Sequence, residues 1–121
     1  MKKILLVDDS SSLRIAVRQA LTEAGYEVVE AEDGQHALSL LDGRRFHLII
    51  TDINMPKIDG FTLIDVMKKF PAYRYTPVVI ISTIDSEHKI DRGQDMGANA
   101  WVVKPFEHAQ LIELVGKLLP L

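Results

Sequence analysis

The sequence predicts an α/β fold in which helices cover both faces of a parallel sheet of five strands. Five short apolar runs of strand length alternate with five segments of helical periodicity, and polar or turn residues follow each run. This alternation is typical of parallel sheets with right-handed crossovers, so we expect a doubly wound (βα)5 arrangement with strand order 2-1-3-4-5. The predicted strands lie over residues 3–7, 26–30, 48–51, 78–81 and 100–103.

The segments between these strands carry apolar residues at helical spacing. Three serines suit the N-cap of the first helix, and Gly25 suits its end. The fourth segment is polar, with Ile90 nearly alone on its apolar side, and predicts a helix of marginal stability. The last segment has a broad apolar face. The predicted helices lie over residues 13–24, 37–41, 61–70, 86–96 and 107–119.

Composition excludes several classes of function. The 121 residues are 47% hydrophobic and have a formal net charge of −3. This charge disfavours direct nucleic-acid binding, because phosphate contacts need a basic patch. The chain has no cysteine, which excludes disulfides, thiol chemistry and cysteine-based zinc sites. The apolar run from Ile4 to Val7 is too short for a signal peptide or a membrane span, so we expect a cytoplasmic protein without membrane insertion.

Polar residues follow or end four of the predicted strands. Asp8 and Asp9 follow the first strand and Asp52 follows the third, which is its neighbour in the expected order. These carboxylates should meet at one crevice, where open parallel sheets bind ligands. Ser82 lies at the end of the adjacent fourth strand. Lys104 follows the fifth strand, about 10 Å from the third, and its long stem can bridge much of that gap.

This set of residues is suited to phosphoryl chemistry. Three crowded carboxylates need a cation or raised pKa values, and oxygen ligands alone suit Mg²⁺. Asp52 is then a candidate nucleophile, with Ser82 donating a hydrogen bond to the phosphoryl group and Lys104 neutralising charge. Each residue alone has a simpler explanation, as a cap, a strand stop or a solvated lysine. Their joint position at strand ends favours the shared site.

Four segments carry a resemblance to a known family. They are ILLVDDS at 4–10, LIITDINMPKIDG at 48–60, PVVIIST at 77–83 and GANAWVVKPF at 97–106. With the spacing between them, the sequence resembles the receiver domain of two-component response regulators over essentially its whole length. The last two segments resemble the stand-alone chemotaxis (CheY-like) type. The resemblance implies a flavodoxin-like sheet and a single receiver domain over residues 1–121.

The resemblance also implies roles for the residues of the crevice. Asp52 matches the phospho-acceptor, which takes a phosphoryl group from a histidine kinase. Asp9 matches the direct Mg²⁺ ligand, Asp8 a ligand acting largely through water, and Asn54 the position whose backbone carbonyl completes the metal shell. Ser82 and Lys104 match the family's hydroxyl and essential lysine. Lys104–Pro105 is similar to the family's cis peptide.

Further positions match the parts that transmit and time the signal. Trp101 stands where the family has Tyr or Phe, whose rotamer reports phosphorylation. The alternative is a fixed, partly buried strand residue. Ile84 and Asn54 stand at positions that tune phosphate loss in the family. Since Ile84 is apolar and cannot orient a water molecule, we expect slower loss than in relatives with an acidic residue there.

The resemblance implies protein partners. The kinase is expected to dock near the first helix, and a downstream protein is expected to bind the face formed by the fourth helix, the fifth strand and the fifth helix. A monomer or a phosphorylation-linked dimer fits this scheme. The sequence ends just past the fifth predicted helix, so we expect no output domain within it.

Three other functions remain open from the sequence. A phosphohydrolase of the haloacid dehalogenase type would need an acid two residues after Asp52, where the chain has Asn54. In a flavodoxin-like cofactor binder, Asp8 and Asp9 would repel the cofactor phosphate. A pseudo-receiver that serves only as a docking module is disfavoured by the complete set of Asp, Ser and Lys residues.

Overall fold

The structure is a computed structural model that describes residues 1–121. Strands and helices alternate along the whole chain, as the sequence predicts. The elements are β1 Lys3–Val7, α1 Ser11–Glu23, β2 Glu27–Ala31, α2 Gly34–Leu40, β3 Leu48–Thr51, α3 Gly60–Lys68, β4 Val78–Ser82, α4 Glu87–Asp95, β5 Ala100–Val103 and α5 His108–Leu118.

All five strands are parallel and form one sheet in the order β2-β1-β3-β4-β5. This order confirms the predicted doubly wound fold. The register pairs Val7 with Thr51, so β1 and β3 end at the same level. The residues that follow them, Asp8 and Asp52, therefore leave the sheet side by side. Ser82, paired with Val103, extends β4 by one residue beyond the prediction.

The core has two layers, because the central strands are buried on both faces. Successive residues of β1 contribute to opposite layers: Leu5 and Val7 pack in the layer under α2 and α3, whereas Ile4 and Leu6 pack in the layer under α1 and α5. All four are fully buried. A continuous apolar run is the pattern that a doubly covered strand requires, which explains why these strands were recognisable in the sequence.

Local chemistry determines where the helices begin. Ser10 caps α1 by accepting a hydrogen bond from the backbone N–H of Leu13. Asp33 and Asp59 cap α2 and α3 in the same way. The second strand begins at Glu27 rather than at Tyr26, because the backbone N–H of Tyr26 donates to the carbonyl at the end of α1.

The polar fourth segment forms a nine-residue helix, α4, in which only Gly93 is buried. A Cβ atom at Gly93 would lie 2.9 Å from Ile80 Cδ1 and 3.0 Å from Trp101 Cζ3. Glycine is thus what lets this helix approach the sheet and the indole ring. A second attachment is the guanidinium group of Arg92, whose Cζ lies 4.2 Å from the centre of the Phe61 ring.

None of the helices combines the length and the apolar character that crossing a bilayer would require.

Candidate functional site

A cluster of three carboxylates lies at the carboxyl ends of β1 and β3. Oxygen atoms of Asp8, Asp9 and Asp52 lie within 4.8 Å of one another. Asp8 is fully buried, Asp52 is buried except for 6% of its surface, and Asp9 is exposed. The strand register therefore brings together the three acidic residues that the sequence places at strand ends.

Lys104 reaches this cluster from β5. Its ammonium group donates to Asp8 Oδ2 at 2.7 Å and to Asp52 Oδ2 at 3.0 Å. Its backbone N–H is held by the carbonyl of Ser82 at 2.8 Å. The Lys104–Pro105 peptide bond is cis. The side chain thus spans the width of β4, as the strand order predicts.

Backbone groups hold the two buried carboxylates in place. Asp8 Oδ1 accepts from the N–H of Ser10 at 2.8 Å, and Asp52 Oδ1 accepts from the N–H of Ile53 at 2.7 Å. Each carboxylate uses its other oxygen to accept from Lys104. A Cβ atom at Gly60 would lie only 2.2 Å from the carbonyl oxygen of Asp52, so the chain can pass behind this residue only with glycine there.

Burial and charge act in opposite directions on the ionisable groups. Burial raises the pKa of Asp52, and the nearby Asp8 adds to this, whereas Lys104 and the Ile53 N–H oppose it. Burial lowers the pKa of Lys104, but hydrogen bonds and charge from Asp8 and Asp52 outweigh that and raise it. Three carboxylates face one ammonium group, so the site has an excess of negative charge that a further cation would offset.

The donor set fits a hard divalent cation. All three side chains offer oxygen atoms, and neither cysteine nor histidine belongs to the cluster. Mg²⁺ is commonly held by one or two carboxylates while it keeps positions for water and a phosphate. The side chain of Asn54, two residues after Asp52, is exposed.

The loop that follows Asp52 is braced by the start of α2, a feature that the sequence did not indicate. Lys57 has a left-handed backbone conformation, with φ of 72°, and its ammonium group lies 3.5 Å from Asp33 Oδ2. A Cβ atom at Gly34 would lie 2.5 Å from the carbonyl oxygen of Ile58. Only a glycine at position 34 leaves room for this close approach of the two loops.

Ser82 and Trp101 are linked through the loop after β4 rather than through Asp52. Ser82 is fully buried, and its hydroxyl accepts from the N–H of Ile84 at 3.2 Å. The indole N–H of the half-buried Trp101 donates to the carbonyl of Ile84 at 2.9 Å. Ile84 thus joins the residue at the end of β4 to the aromatic residue of β5.

A family model for the response regulator receiver domain matches residues 4–116. The chain belongs to this family. A solved chemotaxis response regulator, CheY4 of Vibrio cholerae, is 39% identical with a TM-score of 0.92, and the match covers 98% of this chain and 99% of that one. The receiver fold and the CheY-like character predicted from the sequence are thereby confirmed.

Two further relatives show the breadth of the family. The response regulator TrrA of Thermotoga maritima, solved in complex with Mg²⁺ and BeF, is 32% identical with a TM-score of 0.87, over 98% of this chain and all of that one. A gliding motility regulatory protein of Myxococcus xanthus is 44% identical over 84% of this chain. The chain spans only 13% of the length of that relative.

Proposed function

We propose that this receiver domain is a phospho-accepting switch in which Asp52 takes a phosphoryl group from a phosphohistidine of a histidine kinase. One observation carries the proposal. The ammonium group of Lys104 joins the buried carboxylates of Asp8 and Asp52 at the carboxyl edge of the sheet. A nucleophile, a fixed cation and spare carboxylate oxygens in one crevice are the parts that phosphoryl transfer needs.

The transfer forms one bond and breaks another. An oxygen of Asp52 attacks the phosphorus atom, the new O–P bond forms, and the P–N bond to the histidine breaks, which leaves the electron pair on the imidazole. Lys104 stays within reach of the phosphoryl oxygens and offsets their charge. The hydroxyl of Ser82 can turn from the N–H of Ile84 and donate to a phosphoryl oxygen. The domain thus promotes only its own phosphorylation and dephosphorylation.

Asp8, Asp9 and Asp52, with the backbone carbonyl of Asn54, would hold Mg²⁺. The ion would supply the positive charge that the three carboxylates lack and that the incoming phosphoryl group requires. The oxygen-only cluster supports this assignment.

The signal would leave the site through the loop after β4. A Ser82 hydroxyl drawn toward the phosphoryl group gives up the N–H of Ile84, and Ile84 holds the indole of Trp101. The loop leads into α4, which has a single buried residue and is therefore easily displaced. A downstream protein would read the resulting change on the α4–β5–α5 face as a population shift between two conformations.

We further propose that residues 1–121 act as one cytoplasmic receiver domain, a monomer or a phosphorylation-linked dimer, in chemotaxis or related signalling. Its partners would be a histidine kinase and a downstream protein target. The likeness to the chemotaxis response regulator of Vibrio cholerae supports this pathway class. The net charge of −3 is consistent with a protein partner rather than nucleic acid.

Phosphorylation by a small donor tests the proposal. The protein is incubated with Mg²⁺ and acetyl phosphate, and the intact mass is measured. We expect one added phosphoryl group, none in Asp52→Asn, and none without the metal. In parallel, the fluorescence of Trp101, the sole tryptophan, should change with Mg²⁺ and again with beryllofluoride. An unchanged mass together with silent fluorescence would contradict the switch and favour a docking module without phosphorylation.

A further inference from the structure

A cleft of about 510 Å³ opens at the amino-terminal edge of the sheet. We call it the basal cleft and define it by Lys2, Arg44, Arg45, His47 and Tyr75, which line it together with aliphatic residues and prolines. His47 directly precedes β3 and Asp52 directly follows it, so the cleft and the carboxylate cluster lie at opposite ends of a four-residue strand. That length is about 13 Å.

The basal cleft is positively charged in a chain whose net charge is −3. No acidic residue lines it. Lys2 and Arg45 form no ion pair, while Arg44 is held by Asp42 through two hydrogen bonds of 3.0 and 2.9 Å. Burial lowers the pKa of His47, and the charges of Arg45 and Lys2 lower it further. The cleft therefore presents two unpaired cations next to a histidine whose pKa is lowered.

The backbone of the cleft is fixed before any ligand binds. The buried hydroxyl of Tyr73 accepts from the N–H of Gly43 at 2.9 Å and donates to the carbonyl of Arg44 at 2.7 Å. His47 Nδ1 accepts from the N–H of Lys3 at 2.9 Å. Against this fixed frame, Tyr75 is 88% exposed, although it has a large aromatic side chain. A rigid frame reduces the ordering entropy that binding costs.

We propose that the basal cleft docks an acidic segment of a partner protein, with an apolar side chain of that segment packed on Tyr75. Charge complementarity selects an acidic ligand. An exposed tyrosine beside arginines has the composition of a protein-interface centre. A small molecule would need burial of most of its surface, which a cleft bordered by exposed Arg45 and Tyr75 does not provide. Occupancy leaves Asp52 free, so docking is independent of phosphorylation.

Binding is tested with a short acetylated peptide that alternates Asp and Glu around one Phe, titrated into the full chain and followed by backbone amide NMR. We expect shifts confined to the residues that line the cleft, namely residue 2 and those within 43–47, 71–77 and 118–119, and an affinity that decreases with salt. Arg45→Glu and Lys2→Glu should each weaken binding about tenfold, since they replace attraction by repulsion. Tyr75→Ala should weaken it by a smaller factor.

The controls separate the cleft from general electrostatics. Arg18→Glu makes the same charge change on α1, beside Glu30, and should leave the affinity within about twofold, because Arg18 does not line the cleft and its exposed charge is screened by salt. A peptide with Lys in place of every acid should not bind. Shifts spread over all basic surfaces, or equal losses in Arg18→Glu and Arg45→Glu, would overturn the proposal. Tighter binding of a single-stranded RNA at the same residues would overturn it in favour of nucleic acid.

The test does not depend on the phosphorylation site. Affinity should stay within about twofold when Mg²⁺ and beryllofluoride are added, because a whole strand separates the two ends of the sheet. Loss of peptide binding on that addition would overturn the independence of the basal cleft. Failure of the domain to accept a phosphoryl group would leave the peptide result unaffected.

Discussion

The ammonium group of Lys104 lies 2.7 Å from the carboxylate of Asp8, a residue 96 positions away that has no exposed surface. The ammonium group of Lys104 therefore stabilises the fold as well as contributing to the chemistry of the site. Asp8 uses its other oxygen to cap the backbone at Ser10, so this carboxylate joins the first and last strands of the chain to the start of α1.

Removing the cation should destabilise the domain. Lys104→Met leaves Asp8 and Asp52 facing each other, and we expect the free energy of unfolding in urea without Mg²⁺ to decrease by about 3 kcal/mol. Lys104→Arg, which keeps the charge, should lose less. Because the pKa of Lys104 is raised, the original chain should remain more stable than Lys104→Met through neutral pH. This difference in the free energy of unfolding should shrink only as the pH rises above the ordinary lysine pKa of 10.5. Equal stabilities at neutral pH would contradict the prediction.

Replacing the proposed phospho-acceptor by its neutral analogue should have the opposite effect. Because burial raises the pKa of Asp52, its ionised form weakens folding at neutral pH, and this cost is relieved as the pH falls through its folded-state value. Asp52→Asn should therefore raise the free energy of unfolding by about 0.5–2 kcal/mol at neutral pH. The exposed Asp85→Asn serves as control. A less stable Asp52→Asn protein would show that the hydrogen bonds to Lys104 outweigh burial.

Two helical glycines should respond oppositely to alanine. Gly93→Ala brings a methyl group against Ile80 and Trp101, and we expect a loss of about 1–2 kcal/mol in the free energy of unfolding. At Gly116 in α5, the added carbon would have no atom within 4 Å apart from the neighbouring residues and backbone of its own helix, so Gly116→Ala should gain about 0.5–1 kcal/mol. Adding Trp101→Phe should recover part of the Gly93→Ala loss in a double-mutant cycle. If the effects of Gly93→Ala and Trp101→Phe on the free energy of unfolding are additive, the added methyl group does not contact the indole ring.

The interactions of Asp33 that join α2 to the loop after β3 should lose their contribution to stability at low pH. The backbone N–H of His36 lowers the pKa of Asp33, and Lys57 lowers it further. The stability that this lowering contributes is present above the ordinary value of 3.8 and is lost as the pH falls through the folded-state pKa. Asp33→Asn should unfold at a lower temperature than the original chain at neutral pH, and the two should converge in acid. A difference in unfolding temperature that persists unchanged into strong acid would show that packing, and not the charge of Asp33, causes it.

The identity of residue 84 should set how long the phosphoryl group lasts. Ile84 cannot position a water molecule, whereas a glutamine there can. We therefore expect Ile84→Gln to speed loss of phosphate from the isolated domain by about tenfold. This is less than the roughly 10²–10⁴-fold that a positioned acid or base contributes, because glutamine orients a water molecule without taking its proton. Ile84→Val controls for the change in packing. The measurement is the decay of the phosphorylated mass after the donor is removed, and equal decay rates would remove Ile84 from the timing of the signal.

The strand order and the position of the carboxylate cluster could be predicted because both follow from simple patterns. A continuous apolar run requires cover on both faces, and an acid directly after such a run must appear at the edge of the sheet. Even the reach of Lys104 followed from the spacing of strands. These features depend on periodicity and length, which a single sequence displays.

Contacts between loops could not be predicted in this way. The approach of Gly34 to Ile58 and the bond from Trp101 to Ile84 depend on the angles at which neighbouring loops leave the sheet. The same holds for Arg92 over the Phe61 ring. The basal cleft joins residues from both ends of the chain, and only the fold makes Lys2 and Tyr75 neighbours.

In the proposed switch, the hydrogen bond from the indole of Trp101 to the carbonyl of Ile84 would also lower the background level of the signal. Tryptophan has one donor and no acceptor, so a displaced loop leaves that N–H without its partner. A hydrogen bond of this kind contributes about 1 kcal/mol, which favours the loop arrangement seen in the structure over a displaced loop roughly fivefold. Without phosphorylation, the domain should therefore bind its target less than a variant with phenylalanine at this position. It should also need a correspondingly larger phosphorylated fraction before its target responds.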